Sequence, residues 1–304
     1  MNTFIALDVG GTSIKTSVIT PNGTLLTPGI THSPSLAKED KETLLNHFTH
    51  IILDKIKEAP YPIHVTGIGM AFPGPFDYEK GISLMQNINK YDSLYGICLG
   101  KEILLRLRKN KLFNEVASHS CKIKFENDAS LYALGETVLN QDLIQGKVLC
   151  LCIGTGLGSA FLEDGKLITN HPNVPLNGWV YDTPFLDSII DDYISARGIL
   201  KLHESLHHVL VNDVKSIYDL ALEGCESSLK TFDIFGARFA QAITCFLQTF
   251  QPNTLVLGGQ IAKSFPLFKE SFLNQLQKVA PDLTVTLSLD SSLSTLVGVT
   301  RLFE

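Results

Sequence analysis

The sequence has little positive charge to spare. Its 304 residues carry 25 Lys and Arg against 31 Asp and Glu, a formal net charge of −6. A protein that grips a phosphate backbone needs clustered basic residues, so no nucleic-acid partner is expected. No apolar run is long enough to span a bilayer, and no charged stretch followed by an apolar segment opens the chain. A cytoplasmic protein with no membrane partner is therefore expected. CxxC spacing is also absent. Cys98, Cys121, Cys150, Cys152, Cys225 and Cys245 are scattered, which excludes a zinc or redox pair of that spacing. Cys150 and Cys152 stand two apart in an apolar stretch, on one face of a strand, and read as small buried hydrophobes. Disulfides are not expected in a reducing compartment. No linker is of low complexity or strongly charged. With 44% hydrophobic and 18% charged residues, the composition is that of an ordinary globular chain, long enough for two domains with one core each.

One pattern occurs twice. Phe4-Ile5-Ala6-Leu7-Asp8-Val9-Gly10-Gly11-Thr12 is followed by an alternating apolar run and Pro21-Asn22-Gly23. Val148-Leu149-Cys150-Leu151-Cys152-Ile153-Gly154-Thr155-Gly156 is followed by a second such run and Glu163-Asp164-Gly165. Each copy reads as strand, Gly/Thr turn, strand, Asn-Gly or Asp-Gly turn, strand. A glycine turn bares backbone N–H groups that can take phosphate oxygens. Two of them suggest two similar domains sharing a cleft and one polyphosphate.

Other elements follow from periodicity and breakers. Residues 24–32 complete the first meander. Helical spacing of Leu44, Leu45, Phe48, Ile51, Ile52 and Ile56 predicts a helix within 39–58. A buried strand is expected over 64–71, a loop at Phe72-Pro73-Gly74-Pro75, and a helix near 100–109. A strand over 123–126 and a helix from Asp128 to about Val138 open the second half. The second meander spans about 147–168. Residues 170–182 form a loop, helices dominate 184–250, Thr254–Leu257 is a short strand ending in Gly258-Gly259, and 291–302 is helical and packs back on the first domain.

The candidate chemistry sits at the turns. Asp8, at a strand end beside Gly10, Gly11 and Thr12, can hold magnesium through water while the amides contact phosphate, and Lys15 adds charge. A plain hairpin with a capping Asp is the alternative. The run Gly154-Thr155-Gly156 is neither a P-loop, since no Gly-Lys-Ser/Thr follows, nor a dinucleotide fingerprint, since a strand follows it. In Phe125-Glu126-Asn127-Asp128, the Asp can accept a proton from an attacking hydroxyl, or the pair can serve as a helix cap, and both roles are compatible. Gly258-Gly259 is a strand-to-helix turn or a nucleotide contact.

The ordered set of Asp8–Lys15, Phe72–Asp77, Glu126–Ala129 with Gly135-Glu136, Gly154–Gly158 and Leu257–Gly259 resembles the ROK-family sugar kinases. The resemblance covers nearly the whole chain. It implies an α/β fold of two duplicated ribonuclease-H-like (actin-like ATPase) domains with an interdomain cleft. Their expected extents are 1–118 joined by the helix 291–304, and 119–290. It further implies ATP and Mg2+ as cofactors. Asp8, Gly10, Gly11, Thr12, Lys15, Gly154, Thr155 and Gly156 would lie at the phosphates, and Gly258 and Gly259 near the adenosine. Asp128 would be the catalytic base, Asn127 a ligand of sugar hydroxyls, and Gly74 and Asn87 part of the sugar pocket. The small-molecule partner is a hexose or hexose derivative, and a homodimer is an open expectation.

One stretch departs from the family pattern. Where relatives carry Gly-Glu-x-Gly-His, a cysteine-rich zinc loop and Glu-x-Tyr-x-Ser, this chain has Asn177-Gly178-Trp179-Val180-Tyr181-Asp182 and then Asp191-Asp192-Tyr193-Ile194-Ser195. Trp179 then replaces a sugar-binding Glu, Asp182 a His, and Asp191 a second Glu. No zinc site is expected, and plain glucose is not the expected acceptor. Two alternatives stay open: a sugar sensor of the same fold without turnover, and a phosphotransferase with another acceptor or donor. The chain begins at its first strand without a helix-turn-helix, so DNA binding is not expected.

Overall fold

The computed structural model describes residues 1–26, 30–59 and 62–304. The chain divides into two compact units, Met1–Gln141 with Ser292–Glu304, and Asp142–Ser291. The first unit contains β1 (Asn2–Val9), β2 (Ser13–Ile19), β3 (Thr31–Pro34), α1 (Lys41–Glu58), β4 (His64–Ala71), the two-residue strands β5 (Phe76–Asp77) and β6 (Ile82–Ser83), α2 (Leu99–Leu107), α3 (Lys111–Val116), β7 (Ala117–Glu126) and α4 (Asp128–Leu139). The second contains β8 (Lys147–Ile153), β9 (Leu157–Glu163), β10 (Lys166–Leu167), the ribbon β11 (Pro184–Phe185) and β12 (Ser188–Ile189), α5 (Ile190–Tyr193), α6 (Ala196–His207), α7 (Val214–Leu222), α8 (Glu226–Phe250), β13 (Thr254–Gly258), α9 (Phe265–Leu276) and β14 (Thr284–Leu287). The closing helix α10 (Ser291–Gly298) and the 3-10 turn Val299–Phe303 belong to the first unit from Ser292 onward.

The two sheets share one plan. Their orders are β3-β2-β1-β4-β7 and β10-β9-β8-β13-β14. In each, an antiparallel meander is followed by parallel strands. The duplication read from the sequence is therefore a duplication of the fold.

Alternation explains the first core. Ile5, Leu7 and Val9 of β1 point to the face covered by Leu44, Leu45, Phe48 and Ile52 of α1. The Asp40 carboxylate caps that helix, accepting from Glu42 and Thr43 N–H at 2.9 and 3.1 Å. The opposite face takes the returning C-terminus, where Phe4 stacks on Phe303 at 4.8 Å. Small residues permit the approach. A Cβ at Gly67 would stand 2.4 Å from Phe303, and one at Gly69 2.3 Å from Val299. In the second unit, Leu149, Leu151 and Ile153 of β8 pack with Phe161 and the Phe235, Phe239, Phe268 and Phe272 cluster of α8 and α9. All six cysteines are outside disulfides, and among the described residues no helix is long and apolar enough to cross a membrane.

Three expectations change. The strand ending at Glu126 begins at Ala117 and pairs with β4, so it extends the first sheet. The first unit thus runs to Gln141 and includes α4, instead of ending at 118. The third strand of the first meander is Thr31–Pro34, set against Ser13–Thr16. Of the expected 24–32, positions 27–29 lie outside the described residues. The region after 184 opens with the ribbon of β11 and β12 before its helices begin.

Candidate active site

The candidate residues of the first unit emerge from one edge of its sheet. Asp8 of β1 is level with Ala71 of β4, and Ala71 with Glu126 of β7. The Asp8–Thr12 turn, the Phe72–Pro75 loop and the Glu126–Asp128 corner therefore leave the carboxyl ends of three parallel strands, where open α/β sheets place their ligands. Phe72 N–H donates to Glu126 O at 3.0 Å and holds two of these segments together.

The first turn closes when Gly10 N–H donates to Ser13 O at 3.0 Å. Ser35 Oγ donates to Gly11 O at 2.7 Å, and Tyr91 Oη to Gly10 O at 2.8 Å, so both carbonyls are turned into the protein. Among the described residues, nothing accepts from the N–H groups of Gly11 and Thr12, and both residues are exposed. Lys15 Nζ donates to Asp8 Oδ2 at 2.9 Å.

Asp128 opens α4. Asn127 is its cap, and its Oδ1 accepts from Ala129 and Ser130 N–H at 2.9 and 3.3 Å. Asp128 Oδ1 also takes Ala129 N–H at 2.9 Å, which leaves Oδ2 without a protein partner among the described residues. The side chain is open to water at its surface. Burial among the surrounding protein atoms nonetheless pushes its carboxyl above the usual carboxylate range, and the charge of Asp8 adds to this. Ala129 N–H and Lys90 pull the other way. Glu126 is likewise raised by burial, and its Oε1 accepts from Asn127 N–H at 2.8 Å.

The second unit repeats the turn. Gly154 N–H closes on Gly156 O at 2.9 Å, while the N–H groups of Thr155 and Gly156 have no partner among the described residues. Ala196 N–H donates to Gly154 O at 2.9 Å. Leu157 N–H donates to Asp191 Oδ1 at 2.6 Å, and Arg197 pairs with Asp191 Oδ2 at 2.5 Å. Asp191 thus holds the residue that follows the turn and pairs with Arg197. Gly258 is level with Cys152, just before the turn. Gly259, at φ +87°, lies so close that a Cβ would stand 2.2 Å from Ile153 O.

A family model, "ROK family", matches residues 4–174 and 186–295. The chain belongs to the ROK family. A glucokinase from Thermotoga maritima is 24% identical over 283 residues, covering 86% of this chain and 82% of that one. An N-acetyl-D-glucosamine kinase from Haemophilus influenzae is 27% identical over 279 residues, covering 85% and 84%. The crystal structure of a ROK family glucokinase from Streptomyces griseus in complex with glucose and AMPPNP superposes with a TM-score of 0.68 at 19% identity, covering 99% and 98%.

In this ROK family member, Asp8, Gly10, Gly11, Thr12, Lys15, Asn127 and Asp128 lie in one unit on one sheet edge, and Gly154, Thr155, Gly156, Gly258 and Gly259 on the matching edge of the other. Gly74 leaves the same edge as Asp128, with Tyr78 Oη 3.5 Å from the position of a Cβ. Asn87 is exposed in the loop that carries Lys90. Trp179 is half-buried, 6.1 Å from the ring of Tyr181, and the backbone about it is fixed by Ser159 Oγ, which donates to Gly178 O at 2.6 Å and accepts from Val180 N–H at 2.9 Å. Asp182 is exposed, and Tyr181 O accepts from Asp191 N–H at 3.0 Å. Sequence reasoning missed Ser35, Lys90, Tyr91 and Arg197. The one signal for Lys90 was its place beside Asn87 and Asn89, residue types that tolerate left-handed turns.

Proposed function

We propose that this ROK family member is a sugar kinase that transfers the γ-phosphoryl group of ATP to a hydroxyl of a hexose or hexose derivative, with Asp128 as general base. The observation that carries this reading is the Asp128 carboxylate, which has one oxygen held by Ala129 N–H and the other open beside the Asp8 turn. Asn127 caps the same helix through Oδ1, and its amide N–H₂ remains for a sugar hydroxyl. Relatives with sugar-kinase names aligned over most of the chain support the reaction class.

Asp128 takes the proton of the acceptor hydroxyl as that oxygen attacks phosphorus. Positioning and charge stabilisation supply most of the rate in such transfers. The free N–H groups of Gly11, Thr12, Thr155 and Gly156 suit phosphate oxygens, and Gly258-Gly259 suits the adenosine. Asp8 fits magnesium held through water, because Oδ1 has no protein partner among the described residues and this ion is commonly bound by one or two carboxylates plus phosphates. When bound, magnesium neutralises phosphate charge.

Gly74, Asn87, Asn127, Trp179, Asp182 and Asp191 are the proposed acceptor contacts. An indole offers one donor and an apolar face, so Trp179 suits a substituted sugar better than a second carboxylate would. An ATP-coupled assay over glucose, mannose, fructose, allose, N-acetylglucosamine and N-acetylmannosamine tests this. The expected result is magnesium-dependent turnover with a substituted or epimeric hexose ahead of glucose, and a changed ranking in Trp179→Glu. Turnover of none of them contradicts the kinase reading. A strong glucose preference unaltered by Trp179→Glu contradicts the selector role.

A further inference from the structure

Among the described residues Lys90 is a cation without a carboxylate partner. Asp8 already holds Lys15 at 2.9 Å, and among the described residues no carboxylate is within ion-pair distance of the Lys90 ammonium. The Lys90 stem crosses the first glycine turn, where a Cβ at Gly11 would stand 3.8 Å from Lys90 Cδ. The same side chain is half-buried, and its charge acts on Asp128.

The loop that delivers Lys90 is tightly specified. Asn87, Asn89 and Tyr91 all have left-handed backbones, at φ 60°, 59° and 57°. Asparagine tolerates this conformation, whereas a bulky residue such as tyrosine adopts it only when its surroundings hold it there. Tyr91 is fully buried, donates through Oη to Gly10 O, and donates through N–H to Ala37 O at 2.6 Å. Asp92 accepts from Ile88 and Asn89 N–H at 3.2 and 3.1 Å. The loop is thus fastened to the glycine turn next to its one cation.

We propose that Lys90 is a further catalytic residue, its ammonium facing the phosphoryl group in flight between the Gly10-Gly11 turn and Asp128. The assignment rests on the kinase reading for the reaction. In that step the bond from the γ-phosphorus to the β–γ bridging oxygen breaks, and the electron pair leaves with ADP. A bond forms from the γ-phosphorus to the acceptor oxygen, whose proton passes to Asp128. The negative charge on the three equatorial oxygens is what the Lys90 ammonium offsets.

The test uses the full chain, wild type and Lys90→Met, with Lys90→Arg as the conservative variant. Calorimetric titration with magnesium–AMPPNP and magnesium–ADP is paired with kcat for the accepted sugar, and melting temperature controls for folding. Loss of one such stabilising group costs about 10²–10³ in kcat, so Lys90→Met is expected to lose that much. Its affinity for AMPPNP is expected to fall by at least about tenfold while that for ADP stays within about twofold, a difference of about 1.4 kcal/mol or more in one nucleotide only. Lys90→Arg regains part of both losses. A kcat within about threefold of wild type, or an equal change for both nucleotides, overturns the assignment. If Lys90→Met melts early, Lys90→Gln and Lys90→Arg carry the same comparison. If the wild type phosphorylates no sugar, the kinase reading fails, and the AMPPNP-against-ADP split still decides for or against Lys90.

Discussion

Asp128 can accept a proton only when ionised, and its surroundings oppose ionisation. Burial raises its pKa first and the charge of Asp8 second, against the pull of Ala129 N–H and Lys90. The acid limb of kcat/KM is therefore expected above the pH of about 4 at which an ordinary carboxylate titrates. Activity falls as pH drops through that raised value, and a limb at or below pH about 4 contradicts the assignment. The stability sign is opposite to that of a salt-bridged Asp. A raised folded pKa means that the fold holds the proton more tightly than the unfolded chain does. Stability is then lost as pH rises through the window between the two values, and the full penalty applies above the folded one. Asp128→Asn removes that penalty while its Oδ1 can still accept from Ala129. Its melting temperature at pH 7 should equal or exceed that of wild type, with the difference shrinking towards pH 4. A variant that melts several degrees early at pH 7 contradicts this.

At the scale of elements, close approach decides where glycine is needed. A Cβ at Gly135 of α4 would stand 1.7 Å from Ser294 O, a backbone atom of α10 that cannot swing aside. Ser294 Oγ also donates to Glu136 Oε1 at 2.6 Å, which locks the two helices. Gly135→Ala should cost about 1–3 kcal/mol or more by overpacking, read as a lower melting temperature in calorimetry, and an unchanged melting temperature contradicts the packing. Much at this scale was legible in the sequence. The period of Leu44 to Ile56 marks α1, the Pro73 and Pro75 pair ends β4, and Asn127 announces the start of α4. The illegible parts have physical causes. β7 is an edge strand whose Ser118, His119 and Ser120 lack a buried face to write an apolar pattern. β14 is the other sheet's edge, part-exposed throughout, so Thr284 to Leu287 carries no strong alternation. Lys90 meets Gly11 only through the fold, and no local spacing records that contact. The roles of Asp191 were half legible. Its position after the ribbon β11–β12 was marked, but its grip on Leu157 N–H depends on how α5 is set against β9.

The whole molecule uses one device twice. In each unit the first glycine closes the turn on itself and leaves the next two N–H groups without partners among the described residues, at the carboxyl ends of parallel strands. At that edge the first unit carries the carboxylates Asp8 and Asp128 and the ammonium of Lys90, which has no ion-pair partner among the described residues. Residues Ser292–Glu304 return to the first unit through α10 and the stack of Phe303 on Phe4. Asp128 is the proposed base of an ATP-dependent sugar phosphorylation. The most direct test of this role is product formation by mass spectrometry, sugar phosphate from sugar and magnesium–ATP, for wild type and Asp128→Asn, with nucleotide affinity measured in parallel. Asp128→Asn is expected to lose about 10²–10⁴-fold in turnover with nucleotide affinity unchanged. Turnover by Asp128→Asn within a few-fold of wild type, with the same product, would contradict it.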